Sequence, residues 1–138
     1  MSQVEYILAL VSILVALAMA DLVASLHRLL RHRRRIRWHW LPLAAALLVM
    51  LAILQFWWSF YGVASASVWT RYAAFLPLAA YLIVMYLLAS AALPDELEAG
   101  GLDLRAYYHA NGAYFWSLFA LFCLLAGVNN VLARPADL

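Results

Sequence analysis

The chain contains 138 residues, of which 69% are hydrophobic and only 12% are charged. A soluble domain is about half apolar and about a quarter charged, so this composition excludes an ordinary soluble globular protein. Its single cysteine, Cys123, excludes an intramolecular disulfide bond. The net charge is only +2, but six of the nine basic residues are arginines of the short segment Arg28–Arg37.

Four long apolar runs predict a single domain, residues 1–138, of the all-α membrane class. A helix needs about 20 mostly apolar residues to cross the hydrocarbon layer, and transmembrane barrel strands would alternate polar and apolar residues, which these runs do not. The sequence therefore predicts a bundle of four transmembrane helices, at about residues 4–30, 41–61, 72–93 and 104–132.

The first helix carries a carboxylate, Asp21, about 7 Å inside the predicted membrane boundary at 1.5 Å per residue. A carboxylate at membrane depth usually faces the bundle interior or a water-filled cavity. Ser25 and Arg28 lie on the same helix face, so the three residues form a candidate ion- or proton-binding site. The alternative is a structural carboxylate with a partner in Ser25, in Arg28 or on another helix.

Small residues recur on the first and fourth helices, and we expect them to face the bundle interior. Membrane helices associate through small residues because lipid is as apolar as leucine. The stripe of the first helix consists of Ser12, Ala16, Ala20 and Ala24. The stripe of the fourth helix consists of Ala113, Ser117, Ala120, Cys123 and Gly127, and it continues to Asn130.

The arginine-rich loop predicts the orientation of the chain. Short loops rich in arginine remain in the cytoplasm, and seven arginines lie on this side against two, Arg71 and Arg134, on the other. We therefore expect a bacterial-type inner-membrane protein with both termini outside. The candidate contacts to anionic lipid headgroups are Arg31, Arg33, Arg34, Arg35 and Arg37. A nucleic-acid partner is not expected, because the loop is too short to form a folded basic face.

Two prolines and an aspartate indicate where the other three helices begin. Pro42 fits the first turn of the second helix, where its missing N–H costs little. The third helix begins either near Phe75 or near Thr70 with a kink at Pro77. Asp103 is a predicted N-cap of the fourth helix.

Polar side chains in the outer halves of the second and fourth helices predict a small pocket that opens outward. Its candidate members are Gln55, Ser59, Asn129 and Asn130, with Glu5 and Trp58 beside them. Hydrogen bonds between helices are the alternative explanation.

Nearby aromatic residues predict a belt at the outer interface, where amphipathic rings prefer to lie. They are Phe56, Trp57, Trp58, Phe60, Tyr61, Trp69 and Tyr72.

No catalytic, metal or cofactor motif is recognisable. His27, His32 and His39 are five and seven residues apart, which does not place two metal ligands together on a helix. His27 and His109 both fall near the inner boundary, where, with Tyr107, they leave open an enzyme that acts on a lipid or quinone. We expect no metal, no other cofactor and no catalytic residues.

Three functions remain open at this stage. The first is a non-enzymatic membrane protein that acts through helix–helix contacts, as a homo-oligomer or as an accessory subunit. The second is an oligomeric channel or ion-coupled carrier that uses Asp21, and the third is the membrane enzyme. The layout is similar in architecture to small four-helix transporters, a resemblance that implies a coupling role for the carboxylate of the first helix.

Overall fold

The computed structural model describes residues 2–64, 69, 71–94 and 100–134. Its helices are α1 (Gln3–Arg31), α2 (Trp40–Phe60), α3 (Tyr72–Ala92) and α4 (Leu104–Ala133). All four are long and apolar enough to cross a membrane. The predicted class, an all-α bundle of four such helices, is therefore confirmed, and the helix bounds lie close to those predicted.

Local side chains fix the beginnings of three helices. Ser2 and Glu5 form a capping box at α1, where each side chain accepts a hydrogen bond from the other residue's backbone N–H. His39 Nδ1 accepts a 3.2 Å bond from the N–H of Leu41 at α2. The predicted cap of α4 is confirmed, because Asp103 Oδ1 accepts a 3.0 Å bond from the N–H of Arg105.

Pro77 lies inside α3, which begins at Tyr72. The predicted start near Phe75 is therefore wrong. The Arg71 carbonyl accepts bonds from the N–H groups of Ala74, at 3.1 Å, and Phe75, at 3.0 Å, and so forms the first turn ahead of the proline. One missing N–H near the start of a helix is not enough to prevent that turn.

α3 is the central helix of the bundle and packs against α1, α2 and α4. In the most apolar 18-residue segment of each helix, 39% of α3 is buried inside the bundle, against 17% of α4. α4 is the least buried of the four helices. Several side chains of α3 are almost completely buried, namely Leu78, Leu82, Met85, Leu88 and Ala89. α1 and α4 pack against this core and expose their remaining faces.

The loop after α1 and the segment before α4 meet at one end of the bundle. Arg33–Arg35 form a 3₁₀ turn, and Ile36–Arg37 pair in parallel with Leu102–Asp103. We call this paired structure the arginine cap. The loop therefore has a defined backbone structure. The absence of a nucleic-acid partner stays a prediction.

The two small-residue stripes do not face the bundle interior, so that expectation is wrong. Ser12 is partly buried, but Ala16, Ala20 and Ala24 of α1 are exposed. All five members of the α4 stripe, and Asn130 beyond it, are exposed as well. The buried face of α1 consists instead of Ile7, Val11, Val15, Ala18, Leu22, Ser25 and Leu29.

Replacement of either of two alanines of α1 by leucine tests which face of the helix is buried. Ala18 is completely buried, whereas Ala20, two residues later, is exposed. We expect Ala18→Leu to overpack the bundle and to lower the free energy of unfolding by about 1–3 kcal/mol. Ala20→Leu should leave protomer stability nearly unchanged. Thermal unfolding of both variants in detergent measures the difference, and equal destabilisation would contradict this assignment of the buried face.

Candidate functional site

Asp21 is joined to a second helix by a hydrogen bond. The Ser90 hydroxyl of α3 donates a 2.8 Å hydrogen bond to Asp21 Oδ2 of α1. Asp21 is partly buried, and the bond reaches across the interface between these helices. A polar side chain within a transmembrane helix typically finds such a partner on a neighbouring helix. Asp21 therefore has a hydrogen-bond partner on another helix, and its role stays a prediction.

The other two members of the predicted Asp21 site contact each other. Ser25 is completely buried, and the Arg28 guanidinium donates a 3.1 Å bond to its hydroxyl. Sequence reasoning missed Ser90. It is the only residue of α3, apart from its tyrosines, with a polar side chain, and that isolation in an apolar helix is the signal that could have identified it.

The predicted polar pocket residues lie around one cavity at the opposite end of the bundle from the arginine cap. We call it the terminal cavity; its volume is about 330 Å³, and it lies among α2, α3 and α4. All four predicted residues line it. The described residues that line it are Ala52, Gln55, Phe56, Ser59, Phe60, Val63, Trp69, Leu78, Tyr81, Phe122, Ala126, Asn129, Asn130 and Ala133.

Glu5 and Trp58, which were expected beside this pocket, do not line it. The Glu5 carboxylate accepts a 2.9 Å bond from the Ser2 N–H and so belongs to the cap of α1. Trp58 is 84% exposed and lines a separate surface depression with Trp57 and Tyr61. The terminal cavity therefore has no acidic group from α1.

Asn129 joins α4 to α3 in the wall of the cavity. Its Nδ2 donates to the Pro77 carbonyl at 3.2 Å and to the Leu125 carbonyl at 2.9 Å. Because both neighbours are acceptors, the amide nitrogen must face them, which fixes the orientation of the side chain. Its Oδ1 is buried and has no hydrogen-bond partner among the residues that the structure describes.

Aromatic side chains form much of the remaining wall. The Tyr81 ring is stacked on Phe122 at a centroid distance of 4.6 Å and is tilted against Phe56 at 4.9 Å. Trp69 is buried, and its Nε1 donates a 2.9 Å bond to the Val63 carbonyl. Phe56, Phe60 and Trp69 were expected in an interfacial belt, but they contribute to a concave surface inside the bundle.

The arginine cap carries a dense positive charge on an ordered backbone. The five arginines predicted to contact headgroups, Arg31, Arg33, Arg34, Arg35 and Arg37, are all exposed. Trp38 Nε1 donates a 3.2 Å bond to the Arg33 carbonyl, which ties the 3₁₀ turn to the start of α2. Backbone pairing with Leu102–Asp103 holds the other side of the turn.

The histidines are not gathered into a site. His27 and His109 are both exposed, and the Tyr107 hydroxyl donates a 2.9 Å bond to the Ala91 carbonyl. Within residues 2–64, 69, 71–94 and 100–134, no group of three or more His, Cys, Asp or Glu side chains is placed to hold a metal ion.

Comparison of the chain with protein-family models, with curated proteins and with solved structures finds no match. The arguments about its function therefore depend on its own residues.

Proposed function

We propose that this protein is a non-enzymatic membrane subunit that acts through helix–helix contacts, and that its first partner is a second copy of itself. The observation that carries the proposal is the exposed small-residue stripe of α4. A Cβ atom added to Gly127 would meet nothing within 4 Å. Packing inside the protomer therefore gives no reason for a glycine at this position.

The stripe has the spacing of a helix-packing seam. Ala113, Ala120 and Gly127 are seven residues apart, which places them on one side of α4, opposite the buried Leu118 and Phe122. Small residues let two helix backbones approach closely, and close packing is what drives association where lipid removes the hydrophobic force. A face of larger side chains would be adequate if only lipid contacted it.

A second copy suits this face because all copies enter the bilayer in the same orientation. A two-fold axis along the membrane normal then places α4 beside α4 in parallel, so that each small residue meets its own counterpart. Association through another membrane protein, as an accessory subunit, is the alternative form of the proposal.

The proposed orientation follows the distribution of arginines. Positive loops remain in the cytoplasm, so the arginine cap faces the inner leaflet of a bacterial-type inner membrane and both termini lie outside. Each arginine near an anionic surface contributes about 1 kcal/mol to the attraction. The exposed arginines of the cap therefore support contacts with anionic headgroups.

Cysteine cross-linking in native membranes tests the association. In a Cys123→Ser background, single cysteines replace Ala113, Ala120 or Gly127 in the stripe, or Leu121 on the flank of α4 as the control. We expect copper-phenanthroline oxidation to produce disulfide-linked dimers at the three stripe positions and far less at position 121. Equal yields at all four positions would indicate random collision and contradict the proposal.

The variant Gly127→Leu separates association from folding. Because the glycine has open space around it, leucine should leave the protomer intact, and leucine favours helix over glycine by up to about 1 kcal/mol. The bulkier side chain should hold two α4 helices apart and abolish the dimer in sedimentation experiments in detergent. Leu121→Ala is the matched control. A cross-link only to a different membrane protein would favour the accessory-subunit form.

A further inference from the structure

We propose that the arginine cap binds a lipid that carries two phosphate groups on one headgroup, in preference to lipids that carry one. This inference deepens the proposed headgroup contacts, and it rests on the part of the proposed function that places the cap at a membrane surface. It does not depend on the association of two copies, because the α4 stripe forms no part of the cap.

The cap displays guanidinium groups on a short, ordered backbone. Arg33–Arg35 form a 3₁₀ turn, which rises only about 2.0 Å per residue, so their side chains leave the chain close together. Ile36 is buried, and neighbouring residues of a strand point to opposite faces, so Arg37 is directed outward and is exposed. Arg31, the last residue of α1, is exposed as well.

The two connecting segments that form the cap have an excess of positive charge. The segment between α3 and α4 contains four carboxylates, those of Asp95, Glu96, Glu98 and Asp103. Seven arginines stand against them, six in Arg28–Arg37 and the seventh at position 105. Positive charge therefore remains for an external anion even if every one of these carboxylates pairs with an arginine.

Exposed apolar side chains directly before and after the arginines favour a lipid over a soluble anion. Leu30 precedes them and is exposed, and Trp38 and Trp40 follow them, with Trp40 68% exposed. Tryptophan prefers the membrane–water interface, where its ring meets acyl chains and its N–H stays near the headgroups. A lipid uses both kinds of surface, whereas inorganic phosphate or a nucleic acid uses only the arginines.

The preference for two phosphates follows from the density of arginines. A guanidinium binds a phosphate through two parallel N–H···O bonds, and a single phosphodiester has one charge to share among several arginines. A headgroup with two phosphates makes the second contact without a second loss of translational freedom. The ordered backbone helps, because the arginines do not have to be brought together first.

Spin-labelled lipids measure the preference. The protein is reconstituted into phosphatidylcholine bilayers at physiological ionic strength, and electron paramagnetic resonance gives the fraction of each labelled lipid that the protein immobilises. We expect cardiolipin, with two phosphates, to associate about fivefold more strongly than phosphatidylglycerol, with one. A ratio of about two or less, which doubling the phosphates and acyl chains accounts for without cooperation between them, would overturn the proposal.

Soluble competitors identify the source of the phosphate. Pyrophosphate and a short oligothymidylate, each at the concentration of the labelled cardiolipin, should leave that lipid immobilised. Release by pyrophosphate would identify a soluble anion as the occupant, and release by the oligonucleotide would identify a nucleic acid. Either result would overturn the assignment to a lipid.

Paired variants locate the binding. Arg34→Gln/Arg37→Gln removes two exposed arginines of the cap, and Arg71→Gln/Arg134→Gln removes two exposed arginines outside it. We expect the first pair to lower the cardiolipin ratio to about two and the second pair to leave it unchanged. An unchanged ratio in the first pair, or an equal fall in both, would overturn the proposal.

Two glycine positions separate the fold of the cap and the association of copies from charge. Gly101→Ala keeps every arginine but sets a Cβ against the Arg35 carbonyl oxygen, so the preference should be lost as the cap opens. A preference that survives in a cap shown by trypsin digestion to be open would overturn its dependence on the ordered backbone. Gly127→Leu changes only the stripe and should keep the preference, so a failed association and a failed lipid preference give different results.

Discussion

Replacement of Gly101 by alanine is expected to detach the arginine cap from the bundle. Gly101 has a φ angle of +98°, and an added Cβ would lie 2.4 Å from the Arg35 carbonyl oxygen. A side chain in this backbone region costs about 1–3 kcal/mol, and the contact with a backbone atom adds to that cost. The parallel pairing of Ile36–Arg37 with Leu102–Asp103 should open as a result.

Gly100 provides the matched control, since an added Cβ there meets nothing within 4 Å. Limited digestion with trypsin measures the outcome, because the segment Arg33–Arg37 offers several cleavage sites that we expect the folded cap to protect. We expect Gly101→Ala to be cleaved there much faster than the parent protein and Gly100→Ala to be cleaved at the parent rate. Equal protection of both variants would show that the close approach of Gly101 to Arg35 is not required.

The number and position of the helices could be predicted because they follow from local sequence. Runs of about 20 apolar residues leave the backbone no alternative to helix in lipid. Asp103 could likewise be identified as a cap, since it precedes the fourth run directly and its carboxylate reaches a free N–H of the first turn.

The buried face of each helix could not be predicted in the same way. In a soluble protein the buried face is the apolar one, but both faces of a membrane helix are apolar, so the hydrophobic pattern does not distinguish protein from lipid. The small residues predict a different interior face of α1, that of Ala16, Ala20 and Ala24. The structure buries Val11, Val15 and Leu22 there.

The polar residues around the terminal cavity could be predicted from the sequence, but its aromatic wall could not. Gln55, Ser59, Asn129 and Asn130 stand out because polar side chains are rare in these helices and lie at a similar predicted depth. The aromatic wall was not predicted. Rings near a helix end serve equally well at a lipid interface or in a cavity, and sequence alone does not specify which way they point.

The second large effect is expected at Asp21, where a structural role and a coupling role predict different results. Asp21→Leu removes the acceptor of the Ser90 hydroxyl and leaves that group without its partner on α1. Loss of a partner in a buried hydrogen bond costs about 1–3 kcal/mol. Asp21→Asn retains an oxygen that accepts from Ser90 and removes a carboxylate, a group that is costly to hold at membrane depth. Its stability should therefore hold or rise.

Melting curves of Asp21→Leu, Asp21→Asn and Ser90→Ala in one detergent measure these differences. Ser90→Ala is the matched control, because it breaks the same bond from α3 and should resemble Asp21→Leu more than Asp21→Asn. A proton- or cation-flux assay in proteoliposomes, on the same three samples and the parent protein, addresses the coupling role. A parent flux that disappears in a stable Asp21→Asn variant would replace the proposed association function with a carrier or channel, since only a titratable or charged group at this position distinguishes the two side chains.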